Sequence, residues 1–159
     1  MPRVADRLAE LGLELPAVAA PAGVYVPAVR VGTTVWTAGQ LPFVEGVLPE
    51  TGKVGDGEGL VDPARARELA ATCVLNALAA AAGVLGSLDD VVRVVKVTGF
   101  VASDPAFSGQ PGVLNGASEL LGRIFGDAGV HARSAVGVAV LPLDSPVEVE
   151  LVLEVSTLG

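Results

Sequence analysis

The chain of 159 residues has one cysteine, one histidine, one tryptophan, one tyrosine and four phenylalanines. Cys73 alone cannot form an internal disulfide, and one Cys with one His supplies too few ligands for a zinc site of the usual set. Neither a metal nor a cofactor is expected. Ten basic residues face eighteen acidic ones, a formal net charge of −8. With so few stacking rings and so little positive charge, a face for nucleic acid is not expected either. Hydrophobic residues make up 51% of the chain, yet no uninterrupted apolar run approaches the ~20 residues of a membrane span. Arg3, Asp6 and Arg7 stand where a secretory signal would have its apolar centre, so a soluble, cytoplasmic protein without a membrane partner is the expectation. This length suits one domain, spanning 1–159, with a sizeable core.

What the chain does have is a run of small and β-branched residues from Val130 to Pro142, broken by Arg133, followed by a strict apolar/acidic alternation from Val147 to Val155. Leu143-Asp144-Ser145-Pro146 between them reads as a turn. The pattern predicts an antiparallel hairpin with Arg133 near the start of one strand and Glu148 near the start of the next. Those starts lie at opposite ends of such a hairpin, which suits a ligand bridging the two better than a direct salt bridge. An arginine in an apolar strand needs a partner, because a lone buried charge costs several kcal/mol or more.

Upstream, Val4, Leu8 and Leu11 have helical spacing and predict a short amphipathic helix ending at Gly12, followed by a proline-containing extended lead-in to residue 22. Residues 24–31 and 34–38 read as strands joined by a tight turn at Gly32-Thr33, with Pro27 marking an edge or a bulge. Residues 45–59, rich in Gly and Glu, form a loop long enough to be functional or partly mobile. Asp62-Pro63 signals a helix start, and the helix is expected to run from 64 to 82, ending before Gly83. Cys73 fits its packed face, and no basic neighbour would activate the thiol. A strand over 91–102 should put Arg93 and Lys96 on opposite faces, and a second helix should cover 113–125. His131 reads as a surface residue. Two helices on one face of a mixed sheet make an α+β fold. Strands with Val, Ala and Gly on both faces imply that a second subunit covers the other side.

Gly23-Val24-Tyr25-Val26-Pro27-Ala28-Val29, Thr37-Ala38-Gly39-Gln40-Leu41-Pro42, Ala132-Arg133-Ser134 with Leu141-Pro142, and Val147-Glu148-Val149-Glu150 stand in the order and spacing of the RidA/YjgF family. The resemblance covers residues 23–155, and the form after Arg133 is similar to a longer, less characterised branch. It implies a chorismate-mutase-like α+β fold and a homotrimer with ligand clefts between subunits. It also implies hydrolysis of enamine and imine acids to 2-oxo acids and ammonia. In that likeness Arg133 grips a small substrate's carboxylate and Glu148 positions or activates water. Tyr25 lines the cleft from the neighbouring subunit, and Gly39 and Asn115 match further substrate-binding positions. The competing readings make Arg133 and Glu148 structural, Tyr25 merely packed, and Asn115 solvent-facing or part of an interface.

Two positions depart from the family pattern. Ala38 replaces a serine before the cleft glycine, and Ala135 replaces a common cysteine two residues after the arginine. Both changes strip a polar or thiol group from the expected cleft wall and leave Arg133 intact, so carboxylate binding is more secure than deamination. The alternatives are a non-catalytic trimer that binds a small carboxylate or a partner enzyme, and, last, the ribonuclease activity attached to the family by name.

Overall fold

Asp62 opens the longest helix as its sequence dictates: the side-chain Oδ1 accepts from the Ala64 N–H at 2.8 Å, with proline next in the chain. Such a cap stabilises a helix start by about 1 kcal/mol. The computed structural model describes residues 3–21 and 23–157, so Met1, Pro2, Ala22, Leu158 and Gly159 of the expected domain lie outside the description. The elements in chain order are α1 (Val4–Glu10), β1 (Ala28–Val31), β2 (Thr34–Thr37), α2 (Pro63–Leu85), β3 (Val91–Ala102), α3 (Gln110–Phe125), β4 (Ala132–Val138) and β5 (Val147–Val155). Short 3-10 turns precede β3, β4 and β5. Helix α2 runs on through Gly83 to Leu85, with Gly86 as its C-cap, and α3 begins three residues before Val113, at Gln110 with Pro111 in its first turn. Proline at that point leaves no donor stranded, because a helix's first N–H groups have no intrahelical partner anyway.

The five strands form one mixed sheet in the order β1-β2-β5-β3-β4. Here the expected C-terminal hairpin fails, because β3 lies between β4 and β5. Strand β4 runs parallel to β3, and β5 pairs antiparallel with both β3 and β2. A parallel neighbour requires a crossover, which α3 supplies, and β5 then enters the centre of the sheet, where both its edges are paired. A second expectation fails on β3. Register shifts between Val91 and Arg93 and between Val94 and Lys96 turn Arg93 and Lys96 to the same side, opposite Glu154 and Val152. An extra residue in a strand changes which face follows, and two such irregularities defeat a period-two count.

Helices α2 and α3 pack on one face. Val147, Val149, Leu151, Leu153 and Val155 of β5 point into that core, together with Val94, Val97 and Val101 of β3. Each fully buried Leu or Val contributes about 1.5–3 kcal/mol of burial. Helix α2 is apolar enough to pass for a membrane span, with a mean hydropathy of 1.7 over its most apolar 18 residues. It serves as a core helix, burying Leu69, Ala70, Cys73, Ala77, Leu78 and Ala81. Cys73 donates weakly to the Val147 carbonyl, and burial, then the Glu148 charge, pushes its thiol well above the ordinary range. A nucleophilic thiol needs the opposite shift, so Cys73 is structural. Gly99 lets α3 sit close on β3, since a methyl there would overlap the Leu114 side chain. That seating fixes the next residue, Asn115, over the sheet edge.

The sheet's other face is open. Val29, Val31, Trp36 and Val136 stand on it with 46, 65, 53 and 43% of their surfaces exposed. The loop over 45–59 is tied down rather than loose. The Val54 N–H donates to Ala102, the Asp104 N–H donates back to Val54, and the Gly52 N–H reaches Asp144. The N-terminal segment is tied down too. Leu8 is buried, the Val4 N–H donates to Asp89 at 2.7 Å and the Arg7 Nε to the Arg123 carbonyl at 2.7 Å.

Candidate functional site

Glu148 is the second residue of β5, and its alternation turns it away from the helices, level with Phe100 of β3. Just beyond β2 the chain is held beside it by a reciprocal backbone pair, Gln40 N–H to Val149 O at 2.8 Å and Val149 N–H to Gln40 O at 3.0 Å. That pairing brings Gly39 against the Glu148 carboxylate. A methyl at residue 39 would overlap Glu148 Oε1, so only glycine leaves the carboxylate where it is. Tyr25, Gly39 and Glu148 line one cleft of about 310 Å³, with Gln40, Phe43 and Leu143. Burial, reinforced by Glu150, raises the Glu148 carboxyl above its usual range. A carboxylate so shifted is a better proton acceptor than an exposed one.

Arg133 lies on the other side of the sheet. It is level with Val97 of β3 and Leu151 of β5, whose side chains face the helices. Its Nη1 donates to Asn115 Oδ1 at 2.9 Å and to Ser118 Oγ at 3.1 Å, both on α3. Both partners are neutral, and among the described residues Arg133 makes no ion pair. With both Nη1 hydrogens used, the edge formed by Nε and Nη2 remains as the two-pronged donor that matches a carboxylate. His131 is half-buried, its Nε2 lies 2.9 Å from Ser118 Oγ and its Nδ1 2.6 Å from the Gly129 carbonyl. His131 keeps part of its surface exposed, as expected, but both of its ring nitrogens are engaged.

The comparisons with known proteins decide the family. Residues 5–155 match the family described as "YjgF/chorismate mutase-like, putative endoribonuclease". The chain belongs to the RidA/YjgF family. It is similar to Protein TCP17 of Trypanosoma cruzi, at 43% identity over 97% of this chain and 95% of that protein. Among solved structures it is similar to Atu1372 of Agrobacterium tumefaciens, a protein of unknown function. That match has a TM-score of 0.87 at 41% identity over 96% of this chain and 93% of the other. A third likeness is to Escherichia coli TdcF with bound serine, with a TM-score of 0.57 at 27% identity over 90% of this chain and 96% of the other.

In this RidA/YjgF chain the five site residues named from sequence fall into two groups. Tyr25, Gly39 and Glu148 share one cleft, while Arg133 and Asn115 are hydrogen-bonded to each other on the opposite side of the sheet. No single chain brings the groups together. Sequence reasoning missed Ser118 and His131, although a signal existed for each. Ser118 follows Asn115 by one helical turn, and His131 precedes Arg133 by two residues in extended chain, so each shares a face with a named residue. It also missed Ala19, Ala20 and Pro21, which form a wall of the Glu148 cleft. The lead-in is therefore part of the site. Leu143 lines the same cleft in a left-handed conformation, φ 59°, rare for a residue with a branched side chain and invisible to composition.

Proposed function

We propose that the protein binds small carboxylic acids in clefts between the copies of a homotrimer and hydrolyses enamine and imine acids to 2-oxo acids and ammonia. The observation that carries this reading is the Arg133 fork. Its Nη1 is held by two neutral acceptors, and a paired donor edge is left for an anion. The serine held by TdcF is a small molecule of this kind, bearing a carboxylate. Joining one copy's Arg133 and Asn115 to a neighbour's Tyr25, Gly39 and Glu148 would complete a site with an anion clamp on one wall and a base on the other.

In that site the enamine tautomerises to the imine, and Arg133 holds the carboxylate so that the imine carbon faces a water beside Glu148. The water oxygen adds to that carbon while Glu148 takes one water proton. Glu148 passes that proton to nitrogen to give the carbinolamine, then carries the hydroxyl proton to the same nitrogen, so that the C–N bond breaks and ammonia leaves a 2-oxo acid. Net, one water is consumed and one ammonia released, with no change of oxidation state. The raised Glu148 carboxyl supports the base role. The assay generates enamine from serine with a pyridoxal-phosphate-dependent dehydratase and follows release of the 2-oxo acid. A rate above that in buffer is expected.

The second reading, a trimer that binds a carboxylate without turnover, is favoured by Ala38 and Ala135, where the family commonly has serine and cysteine. It predicts a bound 2-oxo acid with no rate above buffer. The ribonuclease reading is the weakest, since a net charge of −8 opposes a phosphate backbone. A cytoplasmic location belongs to the same proposal, because such acids arise beside pyridoxal-phosphate enzymes. The homotrimer rests on the open sheet face, where Val29, Val31, Trp36 and Val136 would be covered by neighbouring copies. Analytical ultracentrifugation at micromolar concentration is expected to give one species near three times the 15.9 kDa chain, and a stable monomer would refute the assembly.

A further inference from the structure

The structure assigns Ser118 and His131 a positioning role: a directed hydrogen-bond relay that sets the orientation of the Arg133 guanidinium. The direction follows from what each atom can do. The Gly129 carbonyl only accepts, so the His131 Nδ1 beside it at 2.6 Å carries a hydrogen and donates. In the neutral ring Nε2 is then the acceptor, and the Ser118 hydroxyl donates to it across 2.9 Å. With its hydrogen committed to the histidine, Ser118 Oγ turns lone pairs outward and accepts from Arg133 Nη1 at 3.1 Å. Each link orients the next. The imidazole is fixed by the turn after α3, the hydroxyl rotor by the imidazole, and the guanidinium plane by the hydroxyl.

A serine alone would not do this. Its hydroxyl hydrogen can rotate among several directions, and a rotor that points at a cation loses the contact. Asn115 holds the second Nη1 hydrogen from one turn earlier on α3, so the two acceptors pin Nη1 from two directions and leave the Nε and Nη2 edge for an anion. A bidentate clamp needs such preset direction, because the cost of ordering a long side chain is otherwise met during binding. The inference deepens the carboxylate-binding reading of Arg133 and rests on it for its functional meaning. The relay itself is a property of the ligand-free chain.

The test uses the full-length protein and two readouts. Rotation of the Arg133 guanidinium is followed by ¹⁵N NMR without ligand, and 2-oxobutyrate is the probe in calorimetric titration. Ser118→Ala and His131→Asn break the relay, the second because an asparagine amide reaches the Nδ1 position facing Gly129 and stops short of Ser118. His131→Gln puts an acceptor near the Nε2 position and is the conservative rescue. Guanidinium rotation is expected to be faster in Ser118→Ala and His131→Asn and near wild type in His131→Gln. Affinity for 2-oxobutyrate should fall in the first two by roughly three- to tenfold, the range of one net hydrogen bond, and recover in the third. Unchanged rotation in Ser118→Ala or His131→Asn overturns the relay whatever the ligand does. Failure of 2-oxobutyrate to bind the wild type, with the rotation pattern as expected, overturns the carboxylate reading and leaves the relay standing.

Discussion

Glu148→Gln is expected to lower turnover of a dehydratase-generated enamine by ~10²- to 10⁴-fold, the contribution typical of a positioned general base. Glutamine keeps the size and hydrogen-bonding atoms of the side chain beside Gly39 and removes only its ability to take a proton. Affinity for a stable 2-oxo acid should change far less, because the carboxylate is held by Arg133. Loss of fold is not the expected cause of the loss of rate. The Glu148 carboxyl is raised above its ordinary range by burial and by Glu150, so its contribution to stability is fully present below the unfolded carboxylate value. That contribution is lost as pH rises through the raised folded value. At neutral pH the charge costs stability, and the Tm of Glu148→Gln should be no lower than that of the wild type. A clearly active wild type matched by the variant would remove Glu148 from the mechanism.

The second large effect belongs to Arg133→Ala. The substitution deletes the donor fork and leaves Asn115 and Ser118, half-buried on α3, within reach of water. Because both partners are neutral, no unpaired charge is created by the deletion, and the helices and sheet should hold. Binding of a small 2-oxo acid should be lost outright in calorimetry, with sedimentation unchanged. Loss of the assembled species in the variant would show instead that Arg133 serves the fold. Retained binding would remove the anion clamp from the site.

Much of this was legible in the residues. The Asp62-Pro63 start, the Gly32-Thr33 turn and the limits of β3 were each written in local chemistry, and the structure has them where the chain signals them. The order of strands was not local. Nothing between residues 130 and 155 says that β3 will lie between β4 and β5, since that depends on a strand some thirty residues upstream. The faces of Arg93 and Lys96 were lost for a related reason, because irregular pairing with β5 resets an alternation that the sequence displays as unbroken. The site divided in the same way. Gly39 was readable as a residue, but its purpose, to make room for Glu148, appears only once the Gln40–Val149 bridge is drawn. The pairing of Ser118 with His131 needed α3 and the start of β4 to be placed side by side.

Arg133 and Glu148 lie on opposite sides of one sheet, and this has a genetic consequence. In the proposed trimer every cleft takes its clamp from one chain and its base from the next. An Arg133→Ala chain then still carries a sound base, and a Glu148→Gln chain still carries a sound clamp. Mixed by unfolding and refolding together, the two inactive proteins should complement each other. In a closed ring assembled at random from equal amounts, about a quarter of the clefts would receive both intact halves. A chain carrying both substitutions should complement neither partner and should act as a dominant inhibitor when mixed with the wild type, spoiling the two clefts it borders.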